Sequence, residues 1–551
     1  MSLSPPVHIH VLVVGGGPAG SYAASVLARE GISVAIIEAA TFPRYHVGES
    51  LIPSVRHYLR FIDAEQKLVQ CGFKHKPGSA IKFNQFKREG YTDFVALGHS
   101  NSAWNVVRSE FDLMLLNHAK TCNAHVFENT RVKSLRFSTS GSEQARPIAA
   151  EWVQVSAKGE VVTGVTSFEY LVDATGRAGL MSTKYLINRH FNTSLKNIAI
   201  WGYWSGAGTY GIGTSREGSP WFEALTDESG WGWFIPLHDG TTSVGIVMNQ
   251  QNYNDQSKTL FGTSLESRYR SFLPLAPNLY KLIGDGVLSS KLSVGSRSGE
   301  MDPIVRSASD FSYSAREYAG VGFRIAGDAG AFIDPFFSSG VHLALTSALS
   351  AAATICAALR GDCAEAEAAA WHTKRFSMSY TRFQVVVLSA YKQIRAQSTS
   401  VLNDVGEDGY DRAFAAIRPV IQGASDMGTR LSEEELQRSL DFCVKLFSPT
   451  SPEQRALAIQ RGLPREFLDV TAPIIDPIIL EAILAINTGD SNHNGVEQQK
   501  ENNASETSLA ANQVNARRVV HCEYAINNME EEVIDGFVVR LQIGKLGLRR
   551  G

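Results

Sequence analysis

The rhythm of apolar and polar positions changes along the chain, and the changes mark its organisation. Val11-Leu12-Val13-Val14 is an unbroken apolar run, as in a strand buried on both faces. It leads through Gly15-Gly16-Gly17-Pro18-Ala19-Gly20 into an alanine-rich stretch, Ser21 to Glu30, that reads as a helix. Ser33 to Ile37 repeats the apolar run and predicts a parallel neighbour. Helical periodicity covers Pro53 to Val69 and Glu110 to Lys120. Between them, Gly72 to Phe94 is strand-like, with Lys74, Lys76, Lys82 and Lys87 among apolar residues, which predicts a sheet edge guarded by lysines.

Tyr170-Leu171-Val172-Asp173-Ala174-Thr175-Gly176-Arg177 is a further apolar run ending in a glycine turn, as expected where a parallel strand returns to the first one. From 190 to 300 the pattern becomes alternating and aromatic, as in Thr242 to Met248, and predicts an antiparallel sheet able to wall a pocket. Phe323-Arg324-Ile325-Ala326-Gly327-Asp328 returns to the parallel pattern, and His342 to Leu359 reads as a helix. Helical patterns follow at Trp371 to Arg395 and Glu433 to Phe447. Asn487 to Asn515, rich in Asn, Gln, Ser and Glu, reads as a disordered insertion. Val519 to Leu548 regains apolar periodicity and is expected to pack back on the body.

These rhythms predict an α/β protein: a Rossmann-like nucleotide-binding fold with an inserted antiparallel sheet and a helical C-terminal region. The expected divisions are 1–189 for the first part of the nucleotide domain, with 72–100 contributing to a pocket, and 190–300 for the inserted sheet. The return segment is 301–364, and 365–551 is the mainly helical remainder.

Gly15, Gly17 and Gly20 fit G-x-G-x-x-G, with Gly16 and Ala19 between them. The strand before and the helix after supply the context in which this motif holds a pyrophosphate. Gly15 permits the tight turn, Gly17 lets the backbone approach the phosphates, and Gly20 lets helix and strand pack closely. Glu38 ends the second strand, 18 residues beyond Gly20, where a carboxylate can hold ribose hydroxyls. A formal net charge of -3 gives no footing for nucleic acid or an anionic membrane. The six cysteines lie far apart without metal-ligand spacing, which predicts reduced thiols. No leader or membrane span is read near the start, so a cytoplasmic location is expected.

The glycine motif with Glu38, the Asp173-Ala174-Thr175-Gly176 turn and Gly327-Asp328 resemble the FAD-dependent monooxygenases of the p-hydroxybenzoate hydroxylase type. Three further stretches narrow the resemblance to the flavin-dependent halogenases, in the fungal group that acts on phenolic polyketides. They are Pro43-Arg44-Tyr45-His46-Val47-Gly48-Glu49-Ser50, Trp231-Gly232-Trp233-Phe234-Ile235-Pro236, and Asp334-Pro335-Phe336-Phe337-Ser338-Ser339-Gly340-Val341-His342. The resemblance spans roughly residues 8 to 365 and is weaker beyond. It implies FAD, used reduced, with Arg44, Glu49, Arg108, Asp328 and Val341 joining the glycine motif and Glu38 as cofactor residues.

The same resemblance implies a flavin C4a-hydroperoxide attacked by chloride or bromide to give hypohalous acid, with O2 as co-substrate. The halide would be held by backbone N–H groups at Ser339 and Gly340, and Trp231, Trp233 and Pro236 would wall the site. Gly72-Phe73-Lys74-His75-Lys76-Pro77-Gly78 looks like the family's G-F-x-x-K-x-G, which carries the lysine that aims the oxidant onto Lys76; Lys82 is the runner-up and Lys74 a third. Phe337 stands where the tryptophan-halogenase branch has a glutamate, so an already activated phenolic substrate is expected. His46, His75 and His238 are candidates for a phenol-deprotonating base. No second nucleotide motif is visible, which implies a separate NAD(P)H flavin reductase; a carrier-bound substrate is a further option. The alternatives are an aromatic hydroxylase on the same fold and an inactive flavoprotein acting as a scaffold.

Overall fold

Val11, Leu12 and Val13 have no solvent exposure because their strand, His8–Val14, lies in the middle of a sheet. It pairs in parallel with Val161–Asp173 on one side (Val14 opposite Asp173) and with Val34–Ile37 on the other (Val14 opposite Ile37). Phe323–Ile325 and His125–Phe127 extend the parallel core, and a hairpin of Thr130–Phe137 and Pro147–Val155 adds antiparallel strands. The computed structural model describes residues 4–83, 85–86, 89–95, 102–138, 145–156, 158–259, 264–289, 303–395, 397, 452–469 and 532–551, with isolated positions between 472 and 514.

Helix Pro18–Arg29 starts directly on the glycine turn, with Gly17 as cap residue and Pro18 at its first position, where a missing N–H costs nothing. Helix Gly340–Arg360 packs against it and against Glu365–Ile394. It is the one helix among the described residues long and apolar enough to cross a membrane, and it is buried in the core.

The second sheet runs Val287–Ser289, Asn197–Ser205, Thr241–Asn249, Gly230–Pro236, Trp221–Ala224, Gly78–Lys82, Gly90–Asp93. It is antiparallel except where Trp221–Ala224 meets Gly78–Lys82, and it also takes in Val305–Ser309. The pocket strands from the region of Lys82 therefore belong to the inserted sheet, which also reaches past residue 300.

The Pro53 to Val69 pattern resolves into two helices, Ser54–Phe61 and Glu65–Gln70, broken at Asp63, whose φ of 59° is left-handed. Lysines do not all guard an edge: Lys76 and Lys82 are 1% and 9% exposed. The tail folds as a hairpin, Phe537–Arg540 with Gly547–Arg550, docked on the body. There the Trp371 indole donates to the Phe537 carbonyl, and Glu30 accepts the Gly544 N–H. The helical reading of Glu433 to Phe447 lies outside the described residues. So does the 487–515 stretch apart from Thr507, Ala510, Ala511 and Val514, which are helical and buried; the last three pack with Leu463 and Leu480. Cys71, Cys122, Cys356 and Cys363 are free thiols.

Candidate functional site

A cavity of about 670 Å³ follows the edge of the parallel sheet and ends under the antiparallel one. Gly15, Gly17, Ala19 and Glu38 line its first part. Arg44, Glu49, Arg108 and Asp328 line the middle, and Gly340, Val341, Trp231 and Trp233 the far end. These twelve predicted cofactor, halide and wall residues thus share one wall system. Gly16, Gly20, Ser339, Pro236, Lys76 and Lys82 do not line it.

The glycine turn has no room for side chains. A Cβ on Gly15 would lie 2.2 Å from the Ala174 carbonyl oxygen, and one on Gly20 would lie 1.9 Å from that of Gly15. Gly15 also holds φ at 107°, a conformation that suits glycine. This close-packed turn, opening onto the N–H groups of helix Pro18–Arg29, fits a pyrophosphate. Glu38 accepts the Gly16 N–H at 2.6 Å and the Ala40 N–H at 2.7 Å, so its carboxylate is already oriented before any ribose is held.

Arg108 is the first residue of helix Arg108–Thr121 and forks onto Asp112 one turn on, at 2.9 and 3.1 Å. Asp112 also pairs with Arg44 at 3.1 Å. Burial alone would raise the Asp112 carboxyl, but Arg108 and Arg44 together hold it below its ordinary value. Asp112 is absent from the expected site residues, although the i,i+4 spacing to Arg108 was a usable signal. Arg108 also donates to the Val47 carbonyl at 2.9 Å, which ties the 43–50 loop down. Desolvation pushes the Asp328 carboxyl up to about 6, against the pull of Arg108, Arg177 and Arg189.

Glu49 is buried and accepts from Tyr203 at 2.6 Å; Tyr203 meets Tyr45 at 3.0 Å, and Tyr45 accepts the Trp201 indole N–H at 2.7 Å. No local sequence signal joins these four, because they come from the 43–50 loop and the inserted sheet. His46 lines the cavity, and burial followed by the Arg108 charge pulls it down to about 4, so it is neutral near pH 7. His75 is exposed. His238 pairs with Glu110 at 3.2 Å and lies outside the cavity wall.

Trp231 and Trp233 stand side by side on strand Gly230–Pro236, ring centroids 5.8 Å apart, where two-residue spacing puts both on one face. Trp233 fits because its cross-strand partner is Gly245: a Cβ there would meet the indole at 2.2 Å. Phe336 meets Trp231 edge to face at 4.8 Å, and Phe337 meets Phe336 at 4.8 Å. After the short turn Pro335–Phe337, Ser338 takes a left-handed φ of 57°, and Ser339 caps helix Gly340–Arg360. The first-turn N–H groups of that helix have no carbonyl behind them and can accept an anion.

Lys76 lies on Lys74–Lys76, paired with Ala103–Asn105, and its Nζ donates at 2.8 Å to both the Ser50 hydroxyl and the Leu51 carbonyl. Burial lowers its ammonium to about 7. Ser50 lines the cavity. Lys82 is nearly as buried, in Gly78–Lys82, opposite Glu223 in the register.

The tryptophan halogenase family matches residues 10–151 and 97–270. The flavin-dependent halogenase armH1 of Armillaria mellea is 48% identical over 554 residues, covering 99% of each chain. The sulochrin halogenase gedL of Aspergillus terreus is 42% identical over 565 residues, covering 100% of this chain and 94% of its own. Among solved structures, the myxobacterial chondrochloren halogenase CndH superposes with a TM-score of 0.60 at 24% identity. It covers 80% of this chain and 98% of its own, a likeness of fold.

Proposed function

The chain belongs to the flavin-dependent halogenases, enzymes of secondary metabolism that use FAD, and from that premise we propose that it chlorinates an electron-rich phenolic, polyketide-type compound. The observation that carries the reading is the single cavity that joins the glycine turn and Glu38 to the Gly340 helix start beneath Trp231 and Trp233. Bound there in reduced form, with O2 and a halide, FAD supplies the hypohalous acid. The chain's own residues do the rest.

Ser339 and Gly340 would offer the halide neutral backbone donors, which hold an anion without quenching its nucleophilicity. Trp231 and Trp233 wall the flavin end, so an aromatic substrate is kept from the oxidant's source and water is displaced from its path. Lys76 offers the oxidant a hydrogen-bond donor on the far side of Ser50. Phe337 puts no carboxylate beside the reacting ring, which suits a phenol whose own oxygen stabilises the ring cation. Bromide is a second halide for the same site. A separate NAD(P)H flavin reductase would supply reduced FAD, the substrate is free or carrier-bound, and we place the enzyme in the cytoplasm.

Mass spectrometry tests this with FAD, a flavin reductase, NADH, O2, chloride and a panel of resorcylic and anthraquinone phenols. A product gaining one chlorine, lost when chloride is omitted, is expected. A product gaining only oxygen would replace the reading by aromatic hydroxylation.

A further inference from the structure

Tyr391 lies on helix Glu365–Ile394, beyond the stretches that carry the family motifs, and does not line the cavity. It is 2% exposed, and its hydroxyl is fully used. It accepts the Trp231 indole N–H at 2.8 Å and the Asn197 amide at 2.7 Å, and it donates to the Asp334 carboxylate at 2.8 Å. One donor and two acceptors exhaust a phenol hydroxyl.

Each partner leads to a different part of the site. Trp231 is cavity wall. Asn197 opens a strand of the inserted sheet and also bonds Asp334 at 3.0 Å. Asp334 begins the turn into helix Gly340–Arg360 and accepts the Phe336 N–H at 3.3 Å. Phe336 in turn packs edge to face on Trp231, so Tyr391, Trp231, Phe336 and Asp334 form a closed ring of contacts. The turn needs such a frame. Ser338 holds a left-handed φ, a conformation that persists only when its surroundings over-determine it.

We propose that Tyr391 is a positioning residue that registers the Trp231 wall against the Asp334–Gly340 turn, and so sets the halide-accepting helix start at its working distance from the flavin end of the cavity. The inference rests on the halogenase reading above. It goes beyond that reading by giving the C-terminal helix a role in halide use.

The test uses the full-length protein and Tyr391→Phe. With the Tyr391 hydroxyl gone the turn loses its tie to Trp231, and chloride KM is expected to rise roughly 10-fold, with kcat and FAD affinity near wild type. Chloride titration of the FAD-loaded protein, followed by flavin fluorescence, should weaken in parallel. Ultraviolet resonance Raman should show one indole N–H band moving to its weakly bonded position, a change abolished in a Trp231→Phe background.

Unchanged chloride affinity in Tyr391→Phe, with the indole band moved or not, would overturn the inference. So would equal losses in FAD affinity, kcat and Tm, which mark a merely structural role. If Tyr391→Phe does not fold, Asp334→Asn is the second variant: raised chloride KM with FAD retained supports the frame, and unchanged KM overturns it. Wild-type protein that forms no halide-dependent product sinks the halogenase reading alone, because the indole band still decides whether Tyr391 holds Trp231.

Discussion

Lys76 Nζ sits 2.8 Å from the Ser50 hydroxyl, so a buried strand lysine is fastened to the loop that lines the cavity. The loop in turn is pinned to the strand next to the lysine: Leu51 N–H donates to the Trp104 carbonyl at 3.0 Å, and Val106 N–H to that of Glu49 at 2.7 Å. Two protein acceptors take two of the three ammonium hydrogens, and the Phe94 ring lies 5.2 Å from Nζ, so on the proposed reading the oxidant would take the third hydrogen from behind Ser50. Lys76→Ala is therefore expected to cut halide-dependent product formation by roughly 100-fold or more, while FAD stays bound. Lys82→Ala should retain product. Wild-type product levels from Lys76→Ala would remove it from the mechanism. Because the donor must be protonated and its folded pKa is about 7, activity should fall as pH rises through 7.

The same burial sets a stability window. Lys76 has a folded pKa of about 7 against an ordinary 10.5, so between those values the unfolded chain binds the extra proton and wild-type stability from this group rises with pH. Lys76→Met does not titrate there. Its Tm advantage over wild type should be largest at or below pH 7 and shrink toward pH 10, as followed by thermal unfolding across that range. An advantage that grows with pH would mean the ammonium is not desolvated.

Gly245 has no chemistry of its own, yet a Cβ on it would press 2.2 Å from the Trp233 ring. The strand pairing on both sides leaves the backbone nowhere to move, so Gly245→Val should drive the indole toward the cavity. Overpacking of this kind costs about 1–3 kcal/mol, and FAD affinity and halide-dependent turnover should both fall. Trp233→Phe in the same background should recover FAD binding, measured by flavin fluorescence. Failure to recover would place the damage elsewhere.

Local chemistry made part of this legible in the sequence and left part hidden. The strand, glycine turn and helix from Val11 to Glu30 could be read because each residue type answers to its immediate neighbours. The Trp231 and Trp233 pair was carried by the family signature it resembles; strand periodicity alone says only that the two share a face. Lys76 shows the limit. Lys74 and Lys76 share a face of one short strand, but only Lys76 is deeply buried, and what buries it is a loop 25 residues earlier. Gly245 takes its role from the strand register that sets it opposite Trp233, and Tyr391 from an indole 160 residues away, which no window along the chain contains.

Asp112 is the last of these hidden residues, and its removal makes a sharp prediction. It is wholly buried and holds the cavity-lining Arg108 and Arg44 together. Asp112→Ala leaves two guanidinium groups close to each other with their shared counter-charge gone. Breaking a buried ion pair from one side typically costs about 3–5 kcal/mol, so Tm should drop by several degrees. Asp112→Asn keeps the shape and one acceptor oxygen and should cost less. Both variants should weaken FAD, because Arg108 also ties down the 43–50 loop through the Val47 carbonyl. Arg108→Lys separates charge from geometry: a lysine keeps the charge but cannot fork onto Asp112 while reaching Val47. FAD affinity near wild type in Arg108→Lys would show that the charge alone matters, and a loss comparable to Asp112→Asn is the outcome expected from the fork.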